Sequence, residues 1–317
     1  MNRECPTIAV VTPCYNEEQA LPITADEILK RLDSMIADGI ISTDSYLMCV
    51  DDGSTDSTWQ IINKLHTSTK RVKGLRLSGN CGHQNALLAG LMAVNGHCDA
   101  CISIDADMQD DPNAMRPMVE EFRRGIDIVY GVRSSRTTDS WFKRTTAHAF
   151  YRFQQAMGMD TVYDHADYRL MSSQALAMLS QYAECRLILR GILPQLGLRT
   201  SCVEYQRQRR VAGTSKYPLS KMMSLSIDGI TSFSARPLRL IFYTGLLFIL
   251  FDIIVAVYVL FSYFRGNVVP GWSSIMLSIW FVGGVVLMAL GIVGVYIGKV
   301  FMEVKHRPRY SINEELT

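Results

Sequence analysis

Apolar runs of strand length and amphipathic helical stretches alternate along the first 130 positions of the chain. Ile8–Thr12, Tyr46–Val50, Val72–Leu77, Ala100–Ile104 and Ile126–Tyr130 read as strands. Between them, Glu18–Ala37, Thr55–His66, Gln84–Val94 and Pro112–Arg124 have the period and composition of helices. Short strands alternating with helices predict a mostly parallel α/β sheet covered on both faces. In such sheets ligands bind beyond the carboxyl ends of the strands. Polar clusters follow three of those ends, Tyr15-Asn16-Glu17, Asp51-Asp52-Gly53-Ser54 and Asp105-Ala106-Asp107, so they are expected to converge on one rim.

Past residue 240 the pattern changes. Leu240–Phe264 carries one charge, Asp252, and Ile275–Ile297 carries none. Each exceeds the roughly 20 residues that cross a bilayer core, and the short connector makes them a two-helix transmembrane hairpin. Arg236 and Arg239 precede the first span, and Lys299, Lys305, Arg307 and Arg309 follow the second. The positive-inside rule then places both termini and the N-terminal domain on the cytoplasmic side of a plasma (inner) membrane, with the chain multi-pass. The expected divisions are an α/β domain over 1–212, a loop with interfacial amphipathic helices over 213–238, two spans within 239–299 (about 240–264 and 275–297), and a cytoplasmic tail over 300–317. The mixture of Lys216, Lys221, Met222, Met223, Ile227 and Phe233 ahead of the first span carries the interfacial reading. Gly291, Gly294 and Gly298 suit close packing within the hairpin or between protomers.

Composition narrows this reading. Charged residues are 20% of 317 and the formal net charge is +2, so no nucleic-acid footprint dominates. Eight cysteines show no disulfide framework. Cys98 and Cys101 have CxxC spacing but run into a strand, and they read as structural. Ile8–Thr12 is too short for a secretory apolar core.

Two acidic clusters carry candidate chemistry. Asp105 and Asp107, at i and i+2 on an extended segment, point to one side and suit a hard divalent cation that also binds phosphate oxygens. Asp51 and Asp52 can accept hydrogen bonds from base N–H and ribose hydroxyl groups, and Gly53 lets the chain turn closely.

Val11-Thr12-Pro13-Cys14-Tyr15-Asn16-Glu17-Glu18, Val50–Asp56, Asn80-Cys81-Gly82-His83, Asp105–Pro112 and Asp167-Tyr168-Arg169-Leu170 occur in order. Together they resemble glycosyltransferase family 2, with its GT-A nucleotide-binding fold. Arg210-Val-Ala-Gly213-Thr-Ser215-Lys216-Tyr217 and the apolar hairpin narrow the likeness to the polyprenyl-phosphate glycosyltransferase branch. The resemblance implies that Pro13, Tyr15, Glu17 and Asp51 contact the nucleobase, with Asp52 at the ribose. Asp105 would hold ribose or diphosphate, and Asp107 and Gln109 would ligate Mg2+ or Mn2+. Arg133 and Arg144 would meet the acceptor phosphate. Arg210, Ser215 and Lys216 would close over the donor, and Asp167 would lie near the sugar. His83 stands where some relatives have Lys. Self-association, in relatives as tetramers, is also implied.

The expected reaction is inverting transfer of a sugar, first choice glucose from UDP-glucose, to polyprenyl phosphate (undecaprenyl phosphate in a bacterium). The product is a lipid-linked monosaccharide for later glycan or lipopolysaccharide modification. A phosphate acceptor is already anionic and needs no general base, so Asp167 is expected to orient the sugar or a cation. Two rivals are a processive polysaccharide synthase, disfavoured by the lack of Gln-x-x-Arg-Trp, and a non-catalytic nucleotide-sugar-binding module that recruits a flippase.

Overall fold

A computed structural model describes residues 3–133, 165–182, 184, 189–206, ten positions between 241 and 261, and 271–317. Among these, eight strands form one sheet in the order β7-β5-β6-β4-β1-β2-β3-β8. They are β1 (Ile8–Cys14), β2 (Tyr46–Asp51), β3 (Val72–Leu77), β4 (Ala100–Ser103), β5 (Ile128–Arg133), β6 (His165–Ser172), β7 (Thr200–Tyr205) and β8 (Ile312–Leu316). Every residue of β1, β2 and β4 is buried, as continuous apolar runs covered on both faces require.

The sheet is mixed rather than mostly parallel. β4, β1, β2 and β3 run parallel at its centre, and β7 is parallel to β5. β6 inserts antiparallel between β4 and β5, and β8 adds antiparallel to β3. After β1, β2 and β3 the chain crosses back to place β4 on the other side of β1. The order therefore reverses between β1 and β4, the switch point at which open α/β sheets hold ligands.

Four helices cover the central strands: α1 (Leu21–Ala37), α2 (Thr58–Ser68), α3 (His83–Val94) and α4 (Met115–Arg123). In α1 a proline sits in the first turn, where its missing N–H costs no helical bond. Leu21, Thr24, Ala25, Ile28, Leu32 and Met35 form its buried stripe, and Ile28 and Leu32 each contribute about 1.5–3 kcal/mol by burial. α3 lies close on β1 and β2 because Gly90 has no side chain. A Cβ there would come within 2.5 Å of Val11 Cγ1 and 2.7 Å of Val50 Cγ2. Two short helices follow, α5 (Ser173–Leu179) and α6 (Leu189–Ile192).

The described residues fall into two compact units, one holding the sheet and residues 307–317, the other the long helix α7 (Trp272–Val304). Within α7, Phe281–Val304 has mean hydropathy 2.3 and no buried position. At 1.5 Å per residue its 24 residues span about 36 Å, longer than the roughly 30 Å of a bilayer core. It is the one helix among the described residues that is long and apolar enough to cross a membrane, so the expected hairpin is not shown. The described positions between 241 and 261 are helical. Asp252 and residues 213–238 lie outside the described residues. The stretch expected as a tail, 300–317, contributes β8, an element the sequence reading did not contain.

Candidate active site at the switch point

A cavity of about 220 Å³ opens at the carboxyl ends of β1, β2 and β4. Its walls include Pro13 near the end of β1 and Tyr15 and Glu17 just after it, Asp52 after β2, Asn80, Gly82 and His83 at the start of α3, and Asp105 and Asp107 after β4. Tyr15 is 46% exposed, the large aromatic surface on this rim. The backbone that presents it is held from the neighbouring strand end. Asn16 N donates to Ser54 Oγ at 3.0 Å, Glu17 N to Thr58 Oγ1 at 2.9 Å, and Thr55 N to Asn16 Oδ1 at 2.9 Å.

The two carboxylates of the Asp51-Asp52 pair are held differently. Asp51 is fully buried and does not line the cavity. Its Oδ1 accepts from Ser54 N at 3.0 Å, and its Oδ2 makes no hydrogen bond, with Arg76 Nε 3.5 Å away. Asp52 reaches the cavity but spends its oxygens on backbone, accepting from Cys81 N at 2.7 Å and Gly82 N at 3.0 Å. Burial pushes its carboxyl up, and these two amides oppose the shift. Gly53, at φ +66°, packs on the same loop. A Cβ there would sit 2.7 Å from Gly79 Cα.

Asp105 lies in the irregular stretch after β4 and Asp107 on the turn that follows, neither on a strand, because β4 ends at Ser103 and Met108 has a left-handed φ of 57°. Burial nonetheless alternates. Asp105, Asp107 and Gln109 are partly exposed while Ala106, Met108 and Asp110 face inward. Burial pushes Asp105 up to about 6; His83 opposes this, and Asp110, Asp167 and Asp107 add to it. Asp107 Oδ1 accepts from Gln109 N at 3.1 Å. Among the described residues no three His, Cys, Asp or Glu side chains gather to enclose an ion. Two carboxylates on the wall match instead a divalent ion bound by one or two carboxylates plus phosphate oxygens and water.

Asp167 and Arg169, two apart on β6, point to the same face and pair directly. Arg190 on α6 adds Nε and Nη2 contacts to Asp167 at 3.2 and 3.1 Å, and Gln84 Nε2 donates to Asp167 Oδ2 at 3.2 Å. His83 Nε2 stands 3.6 Å from both Asp167 and Asp105. Burial alone would raise Asp167, but the His83, Arg169 and Arg190 contacts hold it well below the usual carboxylate range. For His83, burial lowers its basicity, yet Asp167 and Asp105 leave it raised on balance. On the far side, Asp110 accepts from Tyr205 Oη at 2.5 Å and from Arg133 Nη2 at 3.3 Å.

The sequence model of glycosyl transferase family 2 matches residues 9–197, more than half of the chain and all of this site except Tyr205. The chain belongs to glycosyl transferase family 2. This family 2 glycosyltransferase is 45% identical to an uncharacterized glycosyltransferase, YkoT, of Bacillus subtilis, over 100% of this chain and 94% of that protein. It is 36% identical to the bactoprenol glucosyl transferase of Shigella phage SfV, over 97% and 98% of the two chains. Among solved structures, the mannosyltransferase PcManGT from Pyrobaculum calidifontis, in complex with GDP-Man and Mn2+, aligns over 94% of this chain and 85% of its own, with TM-score 0.48 and 12% identity.

Of the residues expected at the site, the glycosyltransferase gathers Pro13, Tyr15, Glu17, Asp52, Asp105 and Asp107 on one cavity. Asp167 is brought to Asp105 through His83. Arg133 is tied to Asp110 and Tyr205. Arg144, Arg210, Ser215 and Lys216 lie outside the described residues. Sequence reasoning missed Arg190, Asp110 and Tyr205. Nothing in their local sequence marks Arg190 and Tyr205, since their partners arrive from other elements; Asp110 lies inside the Asp105–Pro112 motif but was given no role. Arg169 carried a signal in its two-residue spacing from Asp167.

Proposed function

We propose that this family 2 glycosyltransferase moves a sugar, with glucose from UDP-glucose as first choice, onto a polyprenyl phosphate such as undecaprenyl phosphate. One observation carries the reading: a relative named bactoprenol glucosyl transferase matches nearly end to end at 36% identity. The cavity supports it with an aromatic rim at Tyr15 and two carboxylates at Asp105 and Asp107.

In this reading Tyr15, Pro13 and Glu17 take the nucleoside, and Asp105 takes the ribose or diphosphate. Asp51 is assigned to the nucleobase only where Arg76 yields its place. Asp107 and Gln109 would hold Mg2+ or Mn2+, which supplies charge to stabilise the diphosphate leaving group. Arg133 and Arg144 orient the acceptor phosphate through bidentate donors. An acceptor oxygen forms the new bond at the anomeric carbon, and the bond to the diphosphate breaks with its electron pair. Inversion follows from a single in-line displacement. No proton has to leave, because a phosphate monoester is largely dianionic above its second pKa of about 6. Asp167, held ionised by two arginines, serves as an anchor and not as a base. Arg210, Ser215 and Lys216 are assigned to closure over the donor.

The two-span hairpin belongs to this proposal. β7 and β8 lie in one sheet, on either side of α7 in sequence. A chain that leaves a sheet and returns to it crosses a bilayer an even number of times, so α7 as a span calls for a partner, and Leu240–Phe264 is the apolar stretch available. The division into domains, the interfacial helices over 213–238, the cytoplasmic placement of both ends at the plasma membrane and a homo-oligomer complete the reading.

The test is transfer of radiolabel from a panel of nucleotide-sugars into organic-extractable lipid, with undecaprenyl phosphate and Mg2+ or Mn2+. Labelled lipid from one donor, lost in Asp107→Ala and on chelation, is the expected result. Nucleotide-sugar binding without lipid product, for every donor and both metals, would overturn it and favour a module that recruits a flippase.

A further inference from the structure

The strand β8 lies beyond the long apolar helix in sequence, yet it closes the sheet edge beside β3, the strand whose following loop forms a wall of the cavity. Register puts Asp51 opposite Arg76 and Arg76 opposite Glu314. Residues opposite one another on adjacent strands share a face, so the three form a row of alternating charge across β2, β3 and β8. Trp59 on α2 ties the row together. Its Nε1 donates to Glu314 Oε2 at 3.0 Å, and the Arg76 guanidinium lies 5.6 Å from its ring centre. At 3.5 Å, Arg76 Nε is near Asp51 Oδ2 without satisfying it. One residue before β8, Ser311 O accepts from Ser78 N at 2.8 Å and from Ser78 Oγ at 3.2 Å. Ser78 opens the loop whose Asn80, Gly82 and His83 form a cavity wall. The other end of that loop is clamped by Asp52.

We propose that β8 is a working part of the donor site: Glu314 holds Arg76 through Trp59, Ser311 holds the β3–α3 loop, and together they set affinity for the nucleotide. The inference rests on the reading that the cavity takes a nucleotide-sugar. Glu314 and Trp59 are positioning residues, because neither lines the cavity. Their loss frees Arg76 to settle fully on Asp51 and loosens the wall at Asn80 and Gly82.

The experiment is calorimetric titration of UDP, with Mg2+, into the full chain in detergent, comparing wild type with Glu314→Ala, Trp59→Phe and Glu315→Ala. Glu315 is the control, since it neighbours Glu314 on β8 but points to the opposite face. Glu314→Ala and Trp59→Phe are expected to weaken UDP by about 10-fold or more, the lower end of what one charge-assisted hydrogen bond is worth, and Glu315→Ala to leave it unchanged. In the transfer assay the same two variants raise the donor KM and leave the acceptor KM alone, which a simple loss of folded protein does not do. UDP affinity in Glu314→Ala within twofold of wild type, or matched by Glu315→Ala, would overturn the inference while the proposed function stands. A wild-type chain that binds no nucleotide overturns both.

Discussion

Replacing Asp167 by Asn tests whether this carboxylate is an anchor or a base. The side chain is 10% exposed and pairs with Arg169, which is fully buried. Among the described residues Arg169 Nε and Nη1 have no hydrogen-bond partner, so Asp167 is the carboxylate in direct contact with this guanidinium, with Asp105 acting on it from farther off. Removing one partner of a buried pair costs about 3–5 kcal/mol. For a domain of 150–250 residues that is roughly 6–20 °C in Tm. The contact with Arg190, 47% exposed, adds little because solvent screens it. Asp167→Asn is therefore expected to lose both transfer and thermal stability. The double variant Asp167→Asn with Arg169→Met removes the stranded charge and should recover most of the Tm but none of the activity. The pH dependence has a definite sign. Asp167 is held well below the usual range when folded, so its contribution is complete above the unfolded pKa of about 3.9 and is lost as pH falls through the folded value. The Tm gap between wild type and Asp167→Asn should be full at neutral pH, begin to narrow below about pH 4 and vanish only below the folded value. Scanning fluorimetry across that range, with transfer measured in parallel, decides the matter. An inactive Asp167→Asn whose Tm matches wild type at neutral pH would refute the anchor and restore a base.

Gly53→Ala should destabilise by about 1–3 kcal/mol, because φ is +66° and the new Cβ would press on the Gly79 backbone at 2.7 Å. Its UDP affinity should also fall, as read by melting and titration. Tyr205→Phe removes one of the two contacts that fix Arg133 and should raise the KM for polyprenyl phosphate several-fold with the donor KM unchanged, as read by initial rates. With Asp105 pushed up to about 6 in the free enzyme, its ionised fraction grows as pH rises through that value. Donor kcat/KM, which reports free-enzyme groups, should climb through pH 6 and level off above it.

The central strands were legible because burial on both faces writes itself as continuous apolar sequence. Observed β1 to β4 lie within two residues of the expected runs. β6, β7 and β8 were not, since His165–Ser172 mixes charges with apolar residues, Thr200–Tyr205 is exposed or half-buried at every position but Tyr205, and Ile312–Leu316 carries two glutamates. Such segments become strands through their partners, which local propensity does not report. The same holds at the site. Asp105 and Asp107 could be read from their place after a strand, whereas the burial of Asp51 depends on Arg76, Ser54 and a neighbouring strand. Arg190 and Tyr205 join the site from α6 and β7, and only the folded sheet brings them there.

β8 also bears on how the protein is made. Trp59 and Glu314 meet across 255 residues, so the β3 edge stays unpaired during synthesis until the apolar segment has been completed. An open edge strand invites pairing with other chains, and long-range closure is slow. Two glutamates and an asparagine make β8 a poor seed for aggregation before it docks, while Glu314 gives it a specific destination at Trp59. The β3–α3 loop, a wall of the cavity, then acquires its contact with Ser311 only after the whole apolar segment has been made. If Ser311 and Glu314 set nucleotide affinity, a chain stalled before β8 would bind donor weakly and consume little of it away from its lipid acceptor.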